Sequence, residues 1–265
     1  MSITLYNGDC LEVMKKLPNK SVDLFLCDLP FGCLGDQKKG GGIPRPNTEG
    51  AFGGCPWDIK IDLKEFWRQV KRLRKNDHTP ILHFCTTAFG NDLINSKPNW
   101  FRYDLVWNKD RGTSFLLVNK MPMKSHEMIY VFAKEGAYYN RIDEQGDFGA
   151  GWTSFNHNST MRIVPVNGGR NIAKGNDGTT RCVKSVITMR KPNTLGHPTE
   201  KPLDLYKWLI ERYCPAGGTV LDPTAGSCNS CFAAWELNRH AIGIEKDKKF
   251  YEKACKRVDA LVDKE

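Results

Sequence analysis

Residues Thr219 to Ser230 read Thr-Val-Leu-Asp-Pro-Thr-Ala-Gly-Ser-Cys-Asn-Ser, and this stretch decides the fold. A short apolar run, Val220 and Leu221, stops at an acid, Asp222. A turn follows from Pro223 to Gly226, and an Ala-rich amphipathic segment then runs from Ser230 to Leu237. That is strand, tight turn, helix N-terminus, where a gap past the strand end and unpaired helix N–H groups can hold a ligand. A second apolar strand, Ala241 to Ile244, ends in Glu245, 23 residues beyond Asp222. An acid about 20 residues on, at the end of the next strand, is the usual handle for ribose hydroxyls. The pattern predicts a nucleoside-cofactor site built on Asp222, Thr224, Ala225, Gly226 and Glu245. It is not a phosphate site, because Gly226 to Ser230 carries neither G-x-G-x-x-G nor G-K-[ST].

A second constellation says what the cofactor works on. The apolar strand Val22 to Cys27 runs directly into Asp28, Leu29, Pro30, Phe31 and Gly32. An acid, a backbone carbonyl, a proline and an aromatic in consecutive positions at a strand end suit the grip of a flat base with an exocyclic amine. The Asp28 carboxylate and the Leu29 carbonyl can each accept an amine hydrogen, and Phe31 can stack on the ring. A weak nucleophile held this way can attack a sulfonium methyl in line, with positioning supplying most of the rate.

With both motifs in hand, the chain resembles the S-adenosylmethionine-dependent amino-methyltransferases of DNA. Asp28 to Phe31 matches their [D/N/S]-P-P-[Y/F/W] motif, and Leu221 to Ser227 looks like their cofactor motif. The catalytic motif comes first, the order of the β group, circularly permuted relative to the cofactor-first arrangement. The resemblance covers most of the chain. Asn7 to Cys10 resembles the adenine-contacting segment, which implies cofactor contacts for Asp9 and Cys10. Trp57-Asp58, Phe66 to Asn76 and Ile81 to Cys85 look like the next helix and strand, and His126 to Lys134 is similar to the strand ahead of the recognition region. His197 to Pro202 matches the signature before the cofactor strand and implies cofactor contacts for Thr199 and Lys201. The implied fold is α/β, Rossmann-like, a class I methyltransferase fold.

Two positions depart from the family pattern. Leu29 stands where a first proline is usual; the carbonyl survives, and Pro30 biases Leu29 toward extended backbone. Cys228 replaces the second glycine of the family's G-x-G, and its side chain is expected to narrow the approach to the methionine end of the cofactor.

Element periodicity agrees with this fold. Strands are expected at Ile3 to Tyr6, Val22 to Cys27, Ile81 to Cys85, Phe101 to Trp107, Met128 to Phe132, Val220 to Asp222 and Ala241 to Ile244. Helices are expected at Leu11 to Leu17, Leu63 to Lys75, Pro202 to Tyr213 with proline at its first position, and Asp247 to Val262. Alternation of the two predicts a mainly parallel sheet with helices on both faces. The expected parts are 1–135 as the catalytic half, 136–196 as an inserted recognition region, and 197–265 as the cofactor half.

Composition sets the partner. The 265 residues hold 39 basic and 30 acidic side chains, a net +9 that suits a polyanion. Residues 151–196 carry seven basic residues (Arg162, Arg170, Lys174, Arg181, Lys184, Arg190, Lys191) against one acid, a net +6 and two-thirds of the excess. With Trp152, Phe155 and interleaved Asn, Gly and Thr, this is the composition of a DNA contact surface. Residues 32–56 carry eight glycines with Lys38, Lys39 and Arg45 among them. Directly after the catalytic motif, this stretch is open to two readings, a lid that clamps DNA or a plain surface loop.

Neither a signal-peptide pattern nor an apolar run of membrane-spanning length occurs, so a cytoplasmic protein without membrane partners is expected, as monomer or homodimer. The ten cysteines read as reduced thiols. Cys228 and Cys231 read as small packing residues, since no second Cys/His pair at ligand spacing accompanies them, and no metal site is expected. His126 and Glu127, in a strand, read as structural, and His83 as a core histidine.

The expected activity is methylation of adenine N6 in DNA, because Asp occupies the first motif position where the family's cytosine-N4 members more often have Ser. Alternatives are cytosine N4, an RNA or protein-amide substrate, and a non-catalytic nucleic-acid-binding module that retains the fold. Roles within restriction-modification, as a stand-alone methylase or on a phage are all compatible with the sequence.

Overall fold

The computed structural model describes residues 1–31, 60–113, 115–146, 179–190 and 200–262. They form two compact units, one of residues 1–140 with 185–265 and a smaller one of residues 141–184. Ten strands and six α-helices are seen among the described residues. The strands are β1 (Ile3–Asn7), β2 (Leu24–Cys27), β3 (Ile81–Cys85), β4 (Phe101–Thr113), β5 (Lys124–Phe132), β6 (Glu144–Gln145), β7 (Thr180–Arg181), β8 (Val186–Thr188), β9 (Thr219–Asp222) and β10 (His240–Glu245). The helices are α1 (Cys10–Lys16), α2 (Leu63–Leu73), α3 (Thr87–Ser96), α4 (Leu203–Tyr213), α5 (Asn229–Glu236) and α6 (Lys248–Val262).

The larger unit is built on one eight-stranded sheet in the order β1-β10-β9-β2-β3-β5-β4-β8. The first five are mutually parallel, and β5 lies antiparallel between β3 and β4. The expected α/β sheet, mainly parallel and covered on both faces, is the one observed. Alternation along the strands sorts the core into two layers. Leu24, Leu26, Leu82, Phe84, Val220 and Ala241 face α4, α5 and α6, packing on Leu205, Leu209, Phe232 and Ala254. Phe25, Cys27, Ile81, Leu221 and Ile244 face α1, α2 and α3, packing on Met14, Phe66, Val70 and Leu93.

Helix starts follow capping chemistry. Asp9 accepts from the Leu11 N–H, Asp62 from Lys64 and Glu65, Thr86 from Phe89, and Asp247 from Lys249 and Phe250. Pro202 is the N-cap of α4 rather than its first helical residue. β2 begins at Leu24, later than the expected Val22, because the Asp23 carboxylate is taken up by the Thr219 N–H at 2.9 Å and Val22 makes only an isolated bridge to Arg74. β8, inside the stretch expected as recognition region, is a strand of the main sheet, parallel to β4.

Of the smaller unit, residues 141–146 and 179–184 are described. β6 pairs antiparallel with β7, and Arg181 forms an exposed ion pair with Glu144 at 2.8 Å. Among the described residues, no helix is long and apolar enough to cross a membrane.

Candidate active site

In this sheet the parallel strands change direction of winding between β9 and β2, the helix after β9 lying on one face and α2 on the other. A crevice is expected beyond the carboxyl ends of the strands at such a point. It is there: a cleft of about 320 Å³, a size ordinary for small-molecule sites. Its lining includes Asp9 and Cys10 after β1, Asp28, Leu29, Pro30 and Phe31 after β2, Thr224, Ala225 and Gly226 after β9, and Glu245 at the end of β10. Residues from four strand ends, far apart in sequence, thus share one wall.

On the cofactor-motif side the turn after β9 is braced from two directions. Glu245 accepts from the Gly226 N–H at 2.8 Å and, with its other oxygen, from the Asp247 N–H at 2.7 Å. Burial raises the Glu245 pKa, against these two donors. Gly226 has φ +51°, a left-handed conformation that glycine adopts without cost. Asp222 lies under the turn rather than in the cleft wall, 2% exposed, accepting from the Thr224 N–H at 3.0 Å and from the Ser230 hydroxyl. Burial pushes its carboxyl up to about 7 in spite of those two hydrogen bonds. The Thr224 hydroxyl, by contrast, is buried at the cleft with no hydrogen-bond partner among the described residues. An orphaned hydroxyl in a cleft wall is a donor-acceptor waiting for a ligand.

The expected obstruction by Cys228 does not arise. Cys228 is the N-cap of α5 with φ +66°, and its side chain is fully buried in the core with Cys231, away from the cleft lining. A side chain at a left-handed position carries roughly 1 kcal/mol of strain, but it leaves the approach clear.

The Asp28 side of the cleft holds a buried charge network that is not visible in the sequence. The Lys201 ammonium forms an ion pair with Asp28 and a second with Glu127 at 3.7 Å, and Lys109 forms an ion pair with Glu127. Lys201 is 4% exposed and Lys109 9%. The resemblance implies a cofactor contact for Lys201, whereas the structure turns its ammonium to Asp28 and Glu127. Glu127, read from sequence as structural, lines the cleft.

The reason is register. β5 pairs with β3 as far as Cys85 opposite Met128, so Glu127 lies just past the end of β3, at the same sheet edge as Asp28, and Trp107 opposite Glu127 brings Lys109 beside it. Lys201 is pinned through Asn229, whose side chain donates to the Lys201 carbonyl at 3.0 Å and to Glu200 at 2.8 Å. Charged residues inside apolar strands were the available signal, but their pairing depends on a register that the sequence does not display.

Burial pushes the Asp28 carboxyl above its ordinary range, and the Lys201 charge opposes it. Burial also acts to raise Glu127, but Lys201 and Lys109 outweigh it and hold Glu127 below the usual carboxylate range. Lys201 in turn is raised, since Asp28 and Glu127 outweigh its own desolvation. Phe31 leans on Phe89, ring centroids 5.2 Å apart at 37°.

Asp9 caps α1 and meets Lys246 at 3.3 Å, and burial pushes the Cys10 thiol to about 12, so Cys10 is a neutral wall. Phe250 and Lys246, not singled out in the sequence, complete this end of the cleft. Of the residues expected on DNA, Arg181, Lys184 and Arg190 are exposed. Lys38, Lys39, Arg45, Arg162, Arg170, Lys174, Lys191 and the cofactor candidate Thr199 lie outside the described residues, as does the glycine-rich stretch 32–56.

A family model described as DNA methylase, of the N6/N4 methyltransferase type, matches residues 57–256, about three quarters of the chain. The chain belongs to this family. It is 25% identical over 273 residues to the Type II methyltransferase M.HinfI of Haemophilus influenzae, covering 96% of this chain and 68% of that one. Among solved structures it superposes on the M1.HpyAVI–SAM complex with a TM-score of 0.58, 20% identity, and 96% and 99% of the two chains covered. It superposes on the cytosine-N4-specific PvuII DNA methyltransferase with a TM-score of 0.63, 14% identity, and 99% and 91% covered. The fold is thus the class I methyltransferase fold, and the chain is a DNA methyltransferase that uses S-adenosylmethionine. The residues present fit that cofactor: an orphan hydroxyl, a glycine turn and two acids, Asp9 and Glu245, meet in one cleft.

Proposed function

We propose that this methyltransferase acts on the exocyclic N6 amine of adenine in DNA, in the cytoplasm. The observation that carries the reading is the carboxylate of Asp28 at the cleft, at the motif position where the family resemblance puts Asp in adenine enzymes and more often Ser in cytosine-N4 enzymes. The base is turned out of the duplex, because a stacked amine cannot reach a cleft floor. Asp28 Oδ2 is held by Lys201, which leaves Oδ1 for one amine hydrogen and the Leu29 carbonyl for the other. Pro30 keeps Leu29 extended so that the carbonyl points at its task. Phe31, backed by Phe89, stacks on the base.

The cofactor supplies an electrophilic methyl on a sulfonium. Glu245 takes the ribose hydroxyls, Thr224, Ala225 and Gly226 line the methionine end, and Asp9 with Cys10 lies along the adenine. With its pKa raised, Asp28 accepts the proton that the amine sheds more readily than an ordinary carboxylate would. The basic residues of 151–196, with Lys38, Lys39 and Arg45, contribute phosphate contacts.

The test is sequencing that detects modified bases in DNA from cells expressing the chain, beside tritiated-methyl transfer by the purified protein. N6-methyladenine in a defined sequence context, lost in Asp28→Ala with cofactor binding retained, is the expected result. The two-acceptor grip also suits a cytosine amine, so N4-methylcytosine in its place would overturn the adenine assignment. Cofactor binding without methylation of any DNA would favour a non-catalytic binding module.

A further inference from the structure

The β4–β5 hairpin is longer than the sheet needs. Its stem delivers Glu127 to the cleft with Lys109 paired to it, and the strands then run on, with Thr113 opposite Lys124. Lys124 lies three residue steps from Glu127, so the hairpin stands about 10 Å beyond the cleft before its tip begins. The tip is a built turn: the Val118 N–H donates to Phe115 O at 3.2 Å, those of Lys120 and Met121 to Leu117 O at 2.8 and 3.0 Å, and the Thr113 hydroxyl to Lys124 O at 2.9 Å.

That turn presents an apolar crest to solvent. Phe115 is 72% exposed, Met121 and Met123 46% each, and Val118 45%. Four large apolar side chains on one protruding tip are costly to leave in water and mark a contact surface. Around them, residues 110–124 carry Arg111, Lys120 and Lys124 against one acid, Asp110. An apolar crest flanked by cations is complementary to a duplex, with phosphates outside and base faces within.

The position selects the duplex among possible occupants. A base turned out of the stack stays tied to its backbone, so the helix it leaves must lie against the rim of the cleft. The hairpin rises from that rim on the Asp28 side. We propose that the β4–β5 hairpin tip is a DNA-duplex contact in which Phe115 enters the base stack as an apolar wedge while Arg111, Lys120 and Lys124 meet phosphates. The wedge supports the gap beside the flipped base and lowers the cost of keeping it open.

Two variants of the full chain test this with cofactor bound: Phe115→Ala, and Arg111→Ser combined with Lys120→Ser and Lys124→Ser. Binding to a mixed-sequence duplex is followed by fluorescence anisotropy across a salt series. The triple variant is expected to lower the slope of log affinity against log salt by about three, one per lost phosphate contact. Phe115→Ala is expected to keep the slope and weaken duplex binding about tenfold, within the range of one base–aromatic stack. Phe115→Ala should also lose more methyl transfer on native than on heat-denatured DNA, since only the duplex needs the wedge.

Unchanged affinity and slope in both variants would overturn the proposal. So would sedimentation showing that Phe115→Ala dissociates a dimer while duplex affinity stays constant, which would make the crest a self-association face. Duplex binding that responds as expected in a protein that transfers no methyl would count against the adenine reaction and leave this surface standing.

Discussion

Lys201→Met keeps most of the side-chain volume and removes the ion pair that Asp28 makes among the described residues. The ammonium lies 3.7 Å from Glu127 and closer still to Asp28. At an effective dielectric of ~20, a unit charge at such a distance contributes roughly 4 kcal/mol. Asp28 is 22% exposed, so water screens part of this attraction.

The sign follows from the direction of the shift. Burial raises the Asp28 pKa and Lys201 opposes it, so losing Lys201 raises it further, and the ionised form needed to hold the amine appears only at higher pH. The acid limb of the kcat/KM profile for methyl transfer should therefore move toward alkaline pH. The charge of Glu127 raises Asp28, so Glu127→Gln should move the same limb toward acid pH.

Removing one partner from a buried pair costs roughly 3–5 kcal/mol. Glu127→Gln keeps a side-chain oxygen toward Lys109 and Lys201, and so supplies the second arm of the test if Lys201→Met does not fold. Opposite displacements from two variants of one network cannot come from general loosening of the cleft. If both variants turn over with acid limbs that coincide with the wild type, Asp28 is not the group whose ionisation controls the reaction.

Three further outcomes are expected. Thr224→Val, which swaps the orphaned hydroxyl for a methyl, should weaken S-adenosylmethionine by about 0.5–1.5 kcal/mol in calorimetry without lowering the melting temperature, because the hydroxyl has no hydrogen-bond partner to lose among the described residues. Asp222 has a folded pKa of about 7 against an ordinary 3.8, so it favours folding below pH ~4 and loses that contribution as pH rises through about 7, up to about 4 kcal/mol in all. Urea unfolding of Asp222→Asn should lack this slope and give higher stability than the wild type at about pH 8.

His83 is the opposite case. Burial among Phe66, Trp67 and Phe132 lowers its pKa from 6.5 to about 3, so its contribution holds above pH ~6.5 and is lost as pH falls toward 3. Neither ring nitrogen has a hydrogen-bond partner among the described residues, so His83→Leu should be more resistant to acid and about 1–3 kcal/mol more stable at neutral pH.

Several elements were legible because their signals are local. Asp222-Pro-Thr-Ala-Gly226 announces a strand, a turn and a helix within a few residues, and the period of Leu63, Phe66, Trp67, Val70 and Leu73 matches the buried face of α2. Helix α3 was not among the expected elements. Gly90 and three Asn and Asp side chains within Thr87–Ser96 lower its intrinsic propensity. It forms because Phe89 and Leu93 are buried and because its glycine lets the helix lie against Tyr130, whose ring a Cβ there would meet at 2.5 Å.

The antiparallel insertion of β5 between β3 and β4 was equally hidden. β5 follows β4 through a hairpin, and nothing local says that it also pairs with β3; only the pairing of Met128–Phe132 on both sides places it between them.

What the sequence by itself determined is therefore chemical and local: which residues end strands, which turn can approach a ligand, which aromatic stands beside which acid. What only the tertiary structure decided is which charges meet. Lys109, Glu127, Lys201 and Asp28 come from four distant segments. From the sequence Asp28 reads as a base-gripping acid, Lys201 as a cofactor contact and Glu127 as a strand residue, and nothing joins them to one another or to Lys109. A buried ion has low energy only beside its counter-ion, and that proximity is set by strand register and by Asn229 holding the Lys201 segment, both properties of the packed sheet rather than of any stretch of chain.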